Sequence, residues 1–210
     1  MDLWPLIHAE RGALAEDLAT LNDTQWDSPS LCGEWTIREV VAHMSAAASV
    51  GRLRWFRSVL GARFDFGLHN QRRLAEHLGA TNADTLAEFR RIIPSTTAPM
   101  GPAAAWLGEV VVHTADIRRP LGIDRTPPVE VVTEVARFYA SRDFAVPSRS
   151  AAKGLRLEAI DGPFSSGEGP LVRGTTLALT MAMAGRAVFC DDLTGDAVTV
   201  LRGRCHHINP

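Results

Sequence analysis

Glu109 and His113 stand four residues apart in the run Trp106-Leu-Gly-Glu109-Val-Val-Val-His113-Thr-Ala-Asp116. On a helix, four steps of about 100° end roughly 40° past a full turn, so both side chains leave one face, and Asp116 follows them. Valines fill the gap and Trp106 lies just ahead, which turns this stripe of ionisable groups inward or into a cleft. A carboxylate and an imidazole withdrawn together from water need a partner, and a metal ion is an efficient one. His43, between Val40 and Ala47, sits at the margin of a second apolar stripe. One helical histidine plus a Glu/His pair from another helix makes a three-ligand site in a bundle core. Three protein ligands leave a position for water or substrate, as catalytic zinc sites do. Asp116 is placed to accept from the second ring nitrogen of a ligand and so fix its tautomer. The competing account is a plain Glu–His ion pair beside a satisfied core histidine, and spacing alone does not choose between them.

These residues require helices to carry them. Leu6, Ala9, Ala13, Leu14, Leu18 and Leu21 recur at helical spacing, which predicts a helix over 3–21. Asp, Ser, Pro and Gly break the segment 22–34, which reads as a loop. Thr36-Ile-Arg-Glu39 matches a capping box, opening a helix that carries His43 and continues to about Leu60. A third helical region spans about 68–91, interrupted near Gly79 to Asn82. A fourth, about 103–118, carries Glu109 and His113 and is expected to stop at Pro120 and Gly122. Thr126-Pro127 opens a fifth, reaching about Phe144. The pattern changes after Pro147. Leu155 to Ile160 alternates like a half-buried strand and runs into an Asp161-Gly162 turn. Residues 170–172 suggest another strand, 175–184 an apolar helix and 197–201 a last strand. The reading is α+β: a helical domain of four or five helices over 1–147, which carries the candidate metal ligands, then a small α+β domain over 148–210.

Composition narrows the function classes. Hydrophobic residues are 46% of the 210, enough for a packed core. Lys plus Arg (22) nearly balance Asp plus Glu (24), for a net charge of −2, which disfavours a protein that coats nucleic acid. Apolar stretches are too short for a membrane span. Cys32, Cys190 and Cys205 are scattered and odd in number, and no leader is visible, so a reducing cytoplasm is the expected compartment.

Two stretches resemble a known family. Trp26-Asp-Ser-Pro-Ser-Leu-Cys32-Gly-Glu-Trp35-Thr-Ile-Arg-Glu-Val-Val-Ala-His43 and Gly108-Glu109-Val-Val-Val-His113-Thr-Ala-Asp116-Ile-Arg-Arg-Pro-Leu-Gly122 are similar to the signatures of the mycothiol-dependent maleylpyruvate isomerase family, within the wider DinB-like bundles. The resemblance implies a four-helix bundle whose ligands to a divalent metal, usually zinc, fall here on His43, Glu109 and His113. It implies a small sterol-carrier-like C-terminal domain, with Val172-Arg-Gly174, Ala184-Gly-Arg186 and Leu193-Thr-Gly-Asp196 as its pieces. It also implies that Arg186 takes part in activity and that mycothiol is the thiol.

An open metal position lowers the pKa of a thiol that binds there, and the thiolate attacks a small electrophile. A conjugated cis-alkene is then isomerised, whereas a substrate with a leaving group undergoes S-transfer. Arg186 would hold a carboxylate or stabilise developing negative charge. Two other classes stay open: a metal-dependent hydrolase that activates water, and a non-catalytic binding module stabilised by metal. Cys32, beside Leu31 and Trp35, reads as a small buried hydrophobe, and Trp26 and Trp35 read as packing anchors. Cys205-His206-His207 reads as a terminal tail, and His8, His69 and His77 as surface residues. Arg118 and Arg119 suit a helix C-terminus for dipole reasons. The glycines at 162, 167, 169 and 174 read as turns rather than a nucleotide fingerprint.

Overall fold

The computed structural model describes residues 2–49, 74, 76–98 and 101–205, and elements are numbered over these. The expected run of the second helix from 50 to 60, the opening of the third region at 68–73, His69, His206 and His207 lie outside the described residues. The fold is α+β, and the chain divides into two compact units, Met1–Asp124 and Arg125–Pro210.

The first unit holds α1 (Trp4–Leu18), α2 (Asp23–Trp26), α3 (Ile37–Ala47), α4 (Asn82–Ile92) and α5 (Ala103–Leu121). Pro5 sits in the first turn of α1, where a missing N–H costs no helical bond. The segment 22–34, expected as loop, contains the short helix α2. Asn22 opens it through a reciprocal cap: its Oδ1 accepts from the Gln25 amide at 2.9 Å, and Gln25 Oε1 accepts from the Asn22 amide at 3.0 Å. That turn buries Trp26. The capping box at Thr36 forms as expected, with the Glu39 carboxylate accepting from the Thr36 amide at 2.8 Å. Thr81 caps α4 in the same way through Asp84, which is why the third helical region restarts there.

Helices α1 and α3 each pack on both α4 and α5. The core between them is Ile7, Leu14, Leu18, Ile37, Val40, Val41, Phe89, Leu107, Val111 and Ile117. Each of these side chains contributes about 1.5–3 kcal/mol by leaving water. Helix α5 is buried on nearly every side from Leu107 to Arg118, so its ionisable residues have little access to solvent.

Helix α5 does not stop at Pro120 but carries it in its last turn and ends at Gly122, whose φ of 65° is left-handed. A proline at 120 cannot donate to the carbonyl four residues back, at Asp116. The Leu31 amide donates to that carbonyl instead, at 3.1 Å, and pins the 28–36 segment to α5. Arg118 is no surface charge: it is buried and pairs with Asp17 of α1, Nε to Oδ2 at 2.8 Å.

The second unit holds α6 (Val129–Ser141), α7 (Ser148–Ala152), β1 (Arg156–Ala159), β2 (Ser165–Ser166), β3 (Leu171–Gly174), α8 (Thr176–Met183), a 3-10 helix (Ala187–Asp192) and α9 (Val198–Cys205). Helix α6 begins two residues later than expected, because Pro128 forces Pro127 out of the helical region. The sheet order is β2-β1-β3, with β1 antiparallel to β2 and parallel to β3. Leu157 and Val172 face each other across β1 and β3 and are fully buried. Helix α8 is the hub, packed on α6, α7, β1, β3, the 3-10 helix and α9.

The two compact units part at 124/125, and within the second α6 packs against α8. One expectation changes here. Residues 197–201, expected as a strand, open helix α9. Leu201 and Cys205, four apart, are its buried pair, and that helical spacing overrides the β-branched residues 198–200.

Candidate metal centre

Helix α3 carries His43 and helix α5 carries Glu109, His113 and Asp116. The α3 cap fixes the start of that helix, and packing of Val40, Val41 and Met44 turns His43 toward α5. Glu109 and His113 share a face of α5, as four-residue spacing requires.

One carboxylate oxygen joins the three groups. Glu109 Oε1 lies 3.0 Å from His43 Nε2 and 3.3 Å from His113 Nε2. The two imidazoles meet edge to face with centroids 5.2 Å apart. One donor atom from each of His43, Glu109 and His113 lies within 4.8 Å of the others, so the three can hold a metal ion. Their side chains are 15%, 24% and 10% exposed, which leaves an approach from solvent to a mostly dry site.

Behind His113, Asp116 Oδ2 sits 3.2 Å from Nδ1, and the Asp116 side chain is wholly buried. The Nδ1–H donates to that carboxylate, which leaves Nε2 as the nitrogen that faces Glu109. Burial on its own pushes the Glu109 carboxyl up. The charge of His113 and hydrogen bonds from both imidazoles outweigh it and hold Glu109 well below the usual carboxylate range. Burial likewise pushes His113 down, but the Glu109 charge and hydrogen bonds to Asp116, Cys32 and Glu109 raise it well above the usual histidine range.

Arg11 of α1 stands near this cluster. Its buried Nη1 donates to the carbonyls of Ile92 at 3.0 Å and Ser95 at 2.8 Å. Burial brings its pKa down to about 10, against the opposing pull of the Glu109 charge.

Sequence reasoning passed over three residues that the structure places at or beside the site. Cys32 is buried as expected, yet it groups with His113 and Asp116. The Trp35 ring lies 4.8 Å from the His43 ring, tilted by 41°. Arg11 had no signal beyond its place among apolar neighbours. Cys32 and Trp35 come to the site because Pro120 frees the Asp116 carbonyl for the Leu31 amide of their segment, a long-range effect with no local signal.

Arg186 lies in the second unit. The Gly185 amide donates to Ala182 at 3.0 Å and the Arg186 amide to Met181 at 2.9 Å, a Schellman ending of α8. The guanidinium donates to the Ala184 carbonyl at 2.8 Å. The backbone role of the Gly-Arg pair is thus accounted for without reference to catalysis. Among the described residues, no helix is long and apolar enough to cross a membrane.

Comparison with known proteins places the chain. The family model of the mycothiol maleylpyruvate isomerase N-terminal domain matches residues 7–104, a span that includes Cys32, Trp35 and His43 and ends ahead of Glu109. The crystal structure of the mycothiol-dependent maleylpyruvate isomerase superposes with a TM-score of 0.63 at 15% identity. That of a histidine-to-alanine mutant of the same enzyme superposes with a TM-score of 0.61 at 14% identity. Each covers 92% of this chain and 91% of the other, and at such identity the likeness carries the fold alone. No curated protein sequence matches significantly. Residues 7–104 are thus similar to the mycothiol maleylpyruvate isomerase N-terminal domain, and over 92% of its length the chain has the fold of the mycothiol-dependent maleylpyruvate isomerase.

Proposed function

We propose that this chain is a metal-dependent enzyme that uses mycothiol to attack a small electrophile, with His43, Glu109 and His113 holding a divalent cation. The observation that carries the reading is the convergence of two Nε2 atoms and one carboxylate oxygen from two helices, with His43 and Glu109 66 residues apart in sequence. Two imidazoles and a carboxylate are a donor set that suits zinc. When bound, such a cation supplies the Lewis acidity that brings a thiol toward deprotonation near neutral pH. The family supplies the thiol, and the three free, buried cysteines fit a reducing cytoplasm.

The chain's own residues have separate tasks in this reading. Glu109 offsets part of the cation's charge, and Asp116 keeps the His113 proton on Nδ1 so that the Nε2 lone pair is available. The surrounding valines and Trp35 limit water and so keep a thiolate reactive. On a conjugated cis-alkene, a sulfur–carbon bond forms as the π bond opens. Rotation follows, then the sulfur leaves and the double bond returns as trans, with the thiol regenerated. A substrate with a leaving group would instead retain the sulfur. Arg186, with its planar fork of donors, is proposed to hold a substrate carboxylate or developing negative charge.

Metal analysis of the purified wild type beside His113→Ala, followed by thiol consumption with mycothiol over a panel of electrophiles, tests the reading. Stoichiometric metal in the wild type alone, with thiol-dependent turnover, is expected. Wild-type protein that binds no divalent metal and turns over no electrophile with mycothiol overturns it. Hydrolysis that proceeds without thiol points to the water-activating alternative.

A further inference from the structure

Cys32 is 4% exposed, and its surroundings are not those of a small apolar filler. Its sulfur, a His113 ring nitrogen and an Asp116 carboxylate oxygen all lie within 4.8 Å of one another, and all three residues are buried. Cys32 groups with Asp116 and not with His43 or Glu109. Asp116 meets the imidazole at Nδ1, the nitrogen turned away from Glu109.

The segment that carries Cys32 is held rigidly. The Cys32 amide donates to Ser30 Oγ at 3.0 Å, and the Ser30 hydroxyl donates to the Trp35 carbonyl at 2.7 Å. The Trp35 amide donates to the Cys32 carbonyl at 3.2 Å, closing a tight turn. Leu31 anchors the turn to α5 through the Asp116 carbonyl that Pro120 leaves free. A single turn therefore sets Cys32 against one histidine while its Trp35 ring lies against the other.

We propose that Cys32 is a positioning residue for His113: with Asp116 it confines the imidazole so that Nε2 faces Glu109 and His43. This rests on the metal reading above. A ring nitrogen held from one side by a carboxylate still permits rotation of the imidazole about its bond to Cβ. A sulfur packed on the same group removes that freedom and preorganises the donor.

The test compares wild type, Cys32→Ser and Cys32→Ala. Three quantities are measured: affinity for Zn(II) by chelator competition, the visible d–d spectrum of the Co(II)-loaded protein, and the Tm of the metal-free protein. Loss of a group that orients a ligand costs 10–100-fold in metal affinity. The expected result is a loss of that size in Cys32→Ala, with an altered cobalt spectrum, and substantial recovery in Cys32→Ser, whose hydroxyl keeps a polar atom beside the ring. The serine variant also serves if the alanine variant does not fold. A lowered metal-free Tm with unchanged zinc affinity and unchanged cobalt spectrum assigns Cys32 to packing and overturns the proposal. A thiolate-to-cobalt charge-transfer band in wild type, lost in Cys32→Ala, makes Cys32 a ligand and overturns it too. Failure of the wild type to take up either metal sinks the metal reading itself, whereas normal uptake with indifferent variants sinks only the role of Cys32.

Discussion

Raising the pH from about 6 to 8 is expected to enlarge the stabilisation that zinc confers while weakening the metal-free protein. In the metal-free site each partner holds the other in its charged form: Glu109 is depressed and His113 is raised, against the opposing push of burial on both. For His113, a raised folded value means stability that is fully present below the unfolded value of about 6.5 and is lost as pH rises through the folded value. For Glu109, a depressed folded value means stability present above about pH 4.3 and lost as pH falls through the folded value. The pair therefore supports the metal-free fold best between roughly pH 4.5 and 6.5. A cation needs the His113 Nε2 lone pair, so its binding expels the proton that completes the metal-free pair. Each pH unit over which one proton is displaced changes binding by about 1.4 kcal/mol, or tenfold. In a chain of this length 1 kcal/mol moves Tm by about 2–4 °C. The zinc-induced rise in Tm should thus grow by about 3–5 °C per pH unit until His113 loses its proton unaided. Differential scanning calorimetry at a fixed, chelator-buffered free zinc concentration reads this directly. A zinc-induced shift that is equal at pH 6 and pH 8, or one that survives in His113→Ala, would refute the reasoning.

Three further outcomes follow from other parts of the structure. Arg118 and Asp17 form a buried pair between α1 and α5, so Asp17→Ala, which strands a buried guanidinium, should cost about 3–5 kcal/mol in urea unfolding. Replacing both partners with apolar residues should cost much less than either single change. Arg186→Gln should leave zinc affinity and the zinc-induced Tm shift untouched while lowering mycothiol-dependent turnover by about 10²–10³-fold, with partial recovery in Arg186→Lys; turnover unchanged in Arg186→Gln removes that residue from the chemistry. Arg11→Met should lose about 1–3 kcal/mol of stability by leaving the Ile92 carbonyl without its side-chain donor, measured by chemical denaturation.

How much was legible depended on whether the signal was local. The capping box at Thr36 and the four-residue spacing of Glu109 and His113 are short-range devices, and both appear in the structure where the sequence placed them. The small sheet at 156–159 and 171–174 and the apolar helix at 176–183 were legible for the same reason: alternation and apolar runs name their own elements. Long-range effects were not. Pro120 reads locally as a stop, but its consequence is a carbonyl exported to Leu31, which no pattern within α5 reveals. Residues 197–201 carry strand-like side chains, yet burial of Leu201 and Cys205 against neighbouring helices decides for a helix. Which faces meet is not local either: α6 packs against α8, some 35 residues on, and no pattern within α6 names that partner. Cys32 was unreadable as a site residue because a buried thiol beside Leu31 looks the same in sequence whether it faces methyl groups or an imidazole.

The charges around Glu109 explain how the proposed centre would stay formed ahead of a cation. A carboxylate buried with no counter-charge would take up a proton and cease to attract metal. Two kinds of positive charge prevent this. Arg11, even with its pKa brought down to about 10 by burial, stays protonated near neutral pH and is a fixed charge held by the carbonyls of Ile92 and Ser95. His113 carries a removable one, since its proton is kept largely by Glu109 and Asp116. The fixed charge helps keep Glu109 ionised, and in the proposed metal reading the removable proton is what a divalent cation would displace. Entry by exchange changes the local charge by one unit rather than two, and in a mostly dry site that difference lowers the electrostatic cost of loading. Under the proposed metal reading the same geometry would therefore serve both states, with a proton standing where the metal's charge would be.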